Sequence, residues 1–298
     1  MIPDIVECYL TECCNNDYID PNFTALNNNL RTQLFGQDMV INRLIPAIKS
    51  HFNSEPKKAL VICMHGWTGG GKTYTTKILI DSIYKHKGDS KFVHKFSGRL
   101  HFPLESKVEQ YKSDIINWIK GNVTLCPRSI FIFDEADKIP SGVIDAIKPF
   151  LDYHDSIEKI NFREAIYIFI SNVGGSLITR KYMDLWQQGY TRENMQYKDF
   201  ETLLRNALYH ADGAFKESAI LQGHLVSLFL PYLPLEKDHI MLCILDEIKR
   251  QNIGTVSNEE LTGIMNEMEY HNDRFSTSGC KRVADRVAVL RYRHFDEF

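Results

Sequence analysis

The sequence predicts an α/β fold in which a central parallel sheet is flanked by helices and followed by a small C-terminal helical domain. Three observations predict it. The runs 59–64, 129–133 and 165–170 are short and wholly apolar, which suits strands buried on both faces. Helix-period segments at 72–84 and 108–120 separate them, and strands that alternate with helices pair in parallel because each connection recrosses a sheet face. From about Leu235 onward the helical period continues and no strand run stands out.

The elements follow in order. Residues 1–35 read as irregular or short-helical, with a polar cluster at 27–29. Val40, Leu44, Ala47 and Ile48 then recur at helical spacing, and Pro56 with two lysines marks a turn. Strand 59–64 runs up to Gly66, and helix 72–84 opens directly after a glycine-rich stretch. A second strand is expected at 91–96. In 108–120, Ile115, Ile116 and Ile119 fall on one helix face. Between strands 129–133 and 165–170, residues 141–151 read as helical. Pro231 and Pro234 punctuate the chain before helical segments at 239–250, 258–269 and 278–292. Residues 1–234 form the large domain with an N-terminal extension, and residues 235–298 the small one.

The chain has 35 basic and 38 acidic residues, a net charge of -3 and no basic tail. Nothing in this predicts nucleic-acid binding, which needs a basic patch. No run reaches the ~18 apolar residues of a membrane span. The first residues lack a signal-peptide pattern, so the chain reads either as cytosolic or as starting after a removed leader. None of the seven cysteines (Cys8, Cys13, Cys14, Cys63, Cys126, Cys243, Cys280) falls in a Cys-x-x-Cys metal pattern. On spacing alone, buried thiols and disulfides both stay open. Two sequons, at Asn22 and Asn122, point to a secretory route.

The chemistry concentrates in residues 66–73, Gly-Trp-Thr-Gly-Gly-Gly-Lys-Thr. Backbone N–H groups can approach phosphates only where side chains are absent and unusual φ is tolerated. Gly66, Gly69, Gly70 and Gly71 meet that need, Trp67 and Thr68 complete the loop, and Lys72 would neutralise the β- and γ-phosphates. Thr73 offers a hydroxyl to Mg²⁺, and the helix entered through Tyr74 adds its N-terminal dipole. This is an ATP-binding pattern in its required strand–loop–helix context.

Strand 129–133 ends in Asp134 and Glu135. The first acid holds the water shell of Mg²⁺ and the second polarises an attacking water, which a protein that only bound nucleotide would not need. Asn172, at the tip of strand 165–170, is expected to orient that water or sense the γ-phosphate. Gly279, Cys280 and Lys281 open the last helix.

Together, GWTGGGKT, LHFPLES, QYKSDIINWIKGNVTLCPRSIFIFDEADK, IDAIKPFLDYH, FISNVGG, FLPYLPLE and SGCK resemble the torsin family of AAA+ ATPases over nearly the whole chain. The resemblance implies an AAA+ P-loop NTPase of the endoplasmic-reticulum lumen and perinuclear space, distantly related to the Clp unfoldases. It makes Lys72 and Thr73 Walker A residues, Asp134 and Glu135 Walker B residues, Asn172 sensor 1 and Lys281 sensor 2. It also implies disulfides Cys8–Cys126 and Cys243–Cys280, the second tying Lys281 to redox state, and leaves Cys13, Cys14 and Cys63 free. Asn122 matches a family sequon; Asn22 has no counterpart. Many torsins carry Asn where this chain has Thr73. The usual signal and hydrophobic segment are not seen, so membrane association is expected to be indirect or through a segment missing here.

Torsins lack an arginine finger of their own. The resemblance therefore implies activation by the lumenal domains of lamina-associated polypeptide 1 and its endoplasmic-reticulum relative, and assembly as a homo-oligomer or hetero-ring. Arg180, Arg192 and Arg205 are candidate fingers within the chain. Glu267 is the nearest counterpart of an acidic interface site. Two rivals to an activated ATPase are a nucleotide-dependent filament or ring module and a processive unfoldase, for which Phe102 is the available pore-loop aromatic.

Overall fold

The computed structural model describes Cys8 and residues 11–295. The chain forms α1 (Phe23–Gln33), α2 (Asp38–Asn53), β1 (Leu60–Gly66), α3 (Lys72–Asp81), β2 (Val93–Ser97), α4 (Val108–Leu125), β3 (Ile130–Asp134) and β4 (Ile166–Ser171). After these come α5 (Gly175–Gln187), α6 (Tyr197–His210), β5 (Leu228–Tyr232), α7 (Lys237–Arg250), α8 (Asn258–Asn266), β6 (Tyr270–His271), β7 (Phe275–Ser276) and α9 (Val283–Phe295).

Five parallel strands form one sheet in the order β2-β3-β4-β1-β5. The continuous apolar runs are explained by burial on both faces, with a different chemistry on each. Phe131, Phe133, Tyr167 and Phe169 point to one face, where Phe133 stacks on Phe96 at 5.1 Å and on Phe169 at 5.0 Å. Helices α4, α5 and α6 cover that side through residues such as Ile119, Ile178 and Leu204. The alternate residues Ile62, Ile132, Ile168 and Ile170 face α1, α2 and α3. A third apolar cluster, from Leu235 through Ile244 and Ile264 to Leu290, joins α7, α8 and α9.

The structure differs from the sequence expectation in four places. Strand β5 contains Pro231, a residue that argues against a strand because it cannot donate to a ladder. It is tolerated because β5 is an edge strand paired only with β1. The hairpin β6–β7 is too short to show alternation; its turn residues Asn272 and Asp273 have φ of 51° and 52°, the left-handed pair that a tight hairpin turn requires. Residues 141–151 do not make one α-helix: a 3₁₀ turn at Ile144–Ile147 precedes a helical turn at Lys148–Leu151, where Pro149 lacks the N–H that a continuous helix would use. Finally, Cys8 is bonded to Cys13 and Cys14 to Cys126, so the implied Cys8–Cys126 pair is not formed and Cys63 is the free cysteine among the described residues. The two adjacent cysteines take different partners. Cys14 turns into the apolar cluster that holds Cys126, while Cys13 turns back to Cys8. Cys243 is bonded to Cys280.

Candidate nucleotide site

Every strand of the sheet runs in the same direction, so Ser97, Gly66, Asp134 and Ser171 close β2, β1, β3 and β4 on one edge. A cleft of about 550 Å³ opens there between this edge and α7 and α9. Residues 68–74, Asp134, Glu135, Asn172 and Lys281 all line it, together with Leu34, Phe35, Asp246 and Arg250.

The glycines of the loop are dictated by close approach. A Cβ on Gly69 (φ +74°) would lie 1.8 Å from Ser278 O, and one on Gly71 (φ +101°) 2.4 Å from Leu34 Cδ1. The loop is held from both sides. Cys280 N–H donates to Gly69 O at 3.2 Å and the Trp67 indole N–H to Thr277 O at 2.7 Å. Gln37, buried, donates to Gly70 O at 3.1 Å and to Leu233 O at 2.9 Å. The sequence reading missed Gln37; nothing in local spacing distinguishes it from a surface glutamine.

Lys72 is buried and its ammonium donates to Gly66 O at 2.6 Å, Trp67 O at 2.9 Å and Asn172 Oδ1 at 2.9 Å. Burial lowers its pKa to about 8, against the pull of Asp134 and Asp137. The Thr73 hydroxyl donates to Asp134 Oδ2 at 3.3 Å, and Asp134 Oδ1 accepts the Glu135 N–H at 2.8 Å. Glu135 sits at φ 52°. Its Oε2 accepts from the Ser97 hydroxyl at 2.9 Å and its Oε1 from Arg99 Nε at 3.1 Å.

Asp137 is a second residue that sequence reasoning missed, although it lies in the same acidic run as Asp134. Its Oδ1 accepts from the Ser171 hydroxyl at 3.0 Å and from the Asn172 N–H at 3.4 Å, which fixes the tip of β4 beside Lys72. Burial raises its pKa, but hydrogen bonds from Lys138 and Ser171 outweigh that and hold the carboxyl below its usual range. His65, beneath the loop, is fully buried; burial drives its pKa down to about 3, so it is neutral.

The remaining expected residues fall as follows. Lys281 is exposed on the cleft wall. Arg180, Arg192 and Arg205 do not line the cleft. Arg192 is tied to Gly36 O at 2.6 Å and Pro234 O at 3.0 Å, while Arg205 pairs with Glu201 and covers the Phe229 ring. Phe102 is buried against Tyr111 and cannot project into a pore. Glu267 pairs with Arg286 at 3.0 Å. No group of three or more His, Cys, Asp or Glu among the described residues could hold a metal by itself. Thr73 and Asp134 therefore fit an ion that arrives with phosphate oxygens rather than one held by the protein alone.

Two solved structures share the fold. The chain matches the S. cerevisiae Hsp104-ADP complex with a TM-score of 0.62 at 16% identity, over 92% of this chain and 48% of that one. A closed-state reconstruction of Hsp104 with ATPγS and FITC casein gives 0.63 at 15% identity, over the same shares. The chain thus spans about half the length of those proteins, and it shares their fold. Sequence comparison narrows the class. The family model Torsin matches residues 8–133. A Torsin-like protein of Caenorhabditis elegans is 38% identical over 99% of this chain and 87% of its own length. A Torsin-like protein of Drosophila melanogaster is 35% identical over 96% and 86%. The chain belongs to the torsin family.

Proposed function

We propose that this chain hydrolyses ATP with Mg²⁺, weakly by itself, and that a membrane-anchored activator completes the site with an arginine. The observation that carries the reading is the meeting of Lys72, Thr73, Asp134, Glu135 and Asn172 in one cleft at the carboxyl edge of a parallel sheet. The loop and the amino end of α3 cradle the phosphates, and Lys72 exchanges the Gly66 and Trp67 carbonyls for phosphate oxygens. Thr73 and Asp134 would hold Mg²⁺, which would supply positive charge to offset that of the phosphates. Glu135 takes the proton of the attacking water after leaving Ser97 and Arg99. Asn172 and Lys281 hold the γ-phosphate end.

Arg250 is the cleft's arginine among the described residues, and it is engaged by Asp246 at 2.8 Å. An external arginine is worth about 10³–10⁵ in rate at a phosphoryl transition state. The lumenal domain of lamina-associated polypeptide 1, or of its endoplasmic-reticulum relative, is the source in this reading. Three disulfides support an oxidising lumen as the compartment, with chaperone-like remodelling at the nuclear envelope as the role. Glycosylation at Asn22 is compatible with its helix cap, because Oδ1 rather than Nδ2 accepts the Ala25 N–H. Asn122 donates through Nδ2 to Trp118 O at 2.8 Å, and a glycan on that nitrogen would still leave one N–H. The Cys243–Cys280 bond couples Lys281 to redox state through the backbone of Cys280. Phosphate release with and without the activator's lumenal domain tests the reading: a large rise on addition is expected, and full turnover by a demonstrably monomeric isolated chain contradicts it.

A second reading, nucleotide-driven self-assembly into a ring or filament, is favoured by exposed Leu242 and Leu245 on α7 and Val289 on α9. Sizing with ATP and with ADP separates the two. Assembly that follows ATP without turnover supports the second.

A further inference from the structure

Helix α7 presents Cys243, Asp246, Glu247 and Arg250 to the nucleotide cleft. Their spacing of three, four and seven residues puts them on one helix face. The first of them is fixed to Cys280 by the disulfide. The last turn of α7 is held differently. Arg250 Nη2 donates to the Tyr74 hydroxyl, and its guanidinium lies 5.2 Å from the centre of the Tyr74 ring. The same nitrogen is 3.5 Å from Gln33 Oε1, which in turn accepts from the Tyr74 hydroxyl at 2.7 Å. Asp246, one turn back, holds the guanidinium at 2.8 Å. Tyr74 is the residue after Thr73 and Gln33 ends α1, so the contact joins the helical C-terminal part to both elements that border the phosphate loop. Among the described residues, no other α7 side chain has a hydrogen bond or ion pair to α1 or α3.

We propose that Arg250 and Tyr74 form a latch across the nucleotide cleft that sets how long a bound nucleotide stays. The inference rests on the reading of this cleft as a nucleotide site. Closed, the pair fixes the last turn of α7 against Tyr74 and Gln33; a nucleotide leaves when the guanidinium parts from Tyr74 and that turn swings away. Arginine is required because its guanidinium lies near the Tyr74 ring while its N–H groups are directed at the Tyr74 hydroxyl and Asp246, a fixed geometry that a lysine ammonium does not reproduce. Arg250 and Tyr74 are positioning residues here; the phosphate chemistry belongs to Lys72, Asp134 and Glu135.

Stopped-flow release of a fluorescent ADP analogue, chased with excess ADP and Mg²⁺, tests the latch in wild type, R250A, R250K, Y74F and the double variant R250A/Y74F. Thermal melts of the same samples report folding. Release on the order of tenfold faster in R250A is expected. R250K should stay fast, and the double variant should release no faster than R250A because both changes open one contact. Full rescue by R250K, or effects of R250A and Y74F that multiply, would overturn the latch, as would an unchanged release rate in R250A. Were R250A to unfold, Y74F alone decides: faster release supports the latch and unchanged release overturns it. A wild-type chain that does not bind the probe overturns the site and the latch together, whereas a chain that binds it and gains nothing in R250A overturns the latch alone.

Discussion

Glu135 stands in a left-handed backbone position with both carboxylate oxygens engaged, one by Ser97 and one by Arg99. Its availability to a water is therefore set by its neighbours as well as by its own place at the end of β3. Glu135→Gln is expected to abolish phosphate release while ATP binding persists, read by nucleotide retention alongside a turnover assay. Arg99→Ala removes the charge that holds Oε1, and a several-fold rise in basal turnover should follow; a fall would show that Arg99 supports the active arrangement instead. Lys72 carries a pH signature. Burial holds its folded pKa at about 8, below the unfolded value, so its charge opposes folding below that pH and the cost fades as pH rises. Phosphate binding needs the ammonium, so ATP affinity should weaken above about pH 8, with proton uptake on binding. Isothermal titration in buffers of different ionisation enthalpy would read that uptake, and its absence would place the ammonium's pKa elsewhere.

At the scale of elements, the phosphate loop and the segment before α9 behave as one unit. Gly69 and Gly279 approach so closely that a Cβ on Gly279 would stand 2.3 Å from Gly69 O. Gly69→Ala adds a clash with Ser278 to the roughly 1–3 kcal/mol of strain carried by a left-handed alanine. We expect it to lower the melting temperature and to abolish nucleotide binding; binding at wild-type affinity would mean that the two segments need not touch. Strand–loop–helix around 66–73 was legible from sequence because its requirement is local: only glycines admit the backbone to a phosphate, and Lys72 and Thr73 follow at fixed offsets. Strand β5 was not legible, because Pro231 is acceptable only at a sheet edge and edge position is not written in the residues of that strand.

Across the whole molecule, the Cys14–Cys126 bond fastens the N-terminal extension to the end of α4 and spans 112 residues, whereas Cys8–Cys13 spans 5. A cross-link removes more unfolded-chain entropy the longer the loop it closes. Cys14→Ser should therefore cost about 3–5 kcal/mol in chemical denaturation, and Cys8→Ser clearly less. The reverse order would restore the Cys8–Cys126 pairing implied by family resemblance. The N-terminal extension has a second anchor: Glu12 is buried and accepts from the Ser90 hydroxyl at 2.6 Å and the Lys91 N–H at 2.7 Å.

The sequence by itself determined the pattern: a glycine-rich loop after a buried strand, two acids after another, a polar tip after a third, and a helical C-terminal part with Lys281. Each of these is a short pattern whose physical requirement is satisfied within a few residues. The tertiary structure alone decided which groups those side chains meet. Lys72 rests on Asn172, 100 residues away; Glu135 on Ser97, 38 away; and Gln37 bridges to Leu233, 196 away. Cys14 rather than Cys8 takes Cys126. Such pairings depend on strand order and on which face of the sheet each segment crosses, and periodicity along the chain records burial without recording the partner.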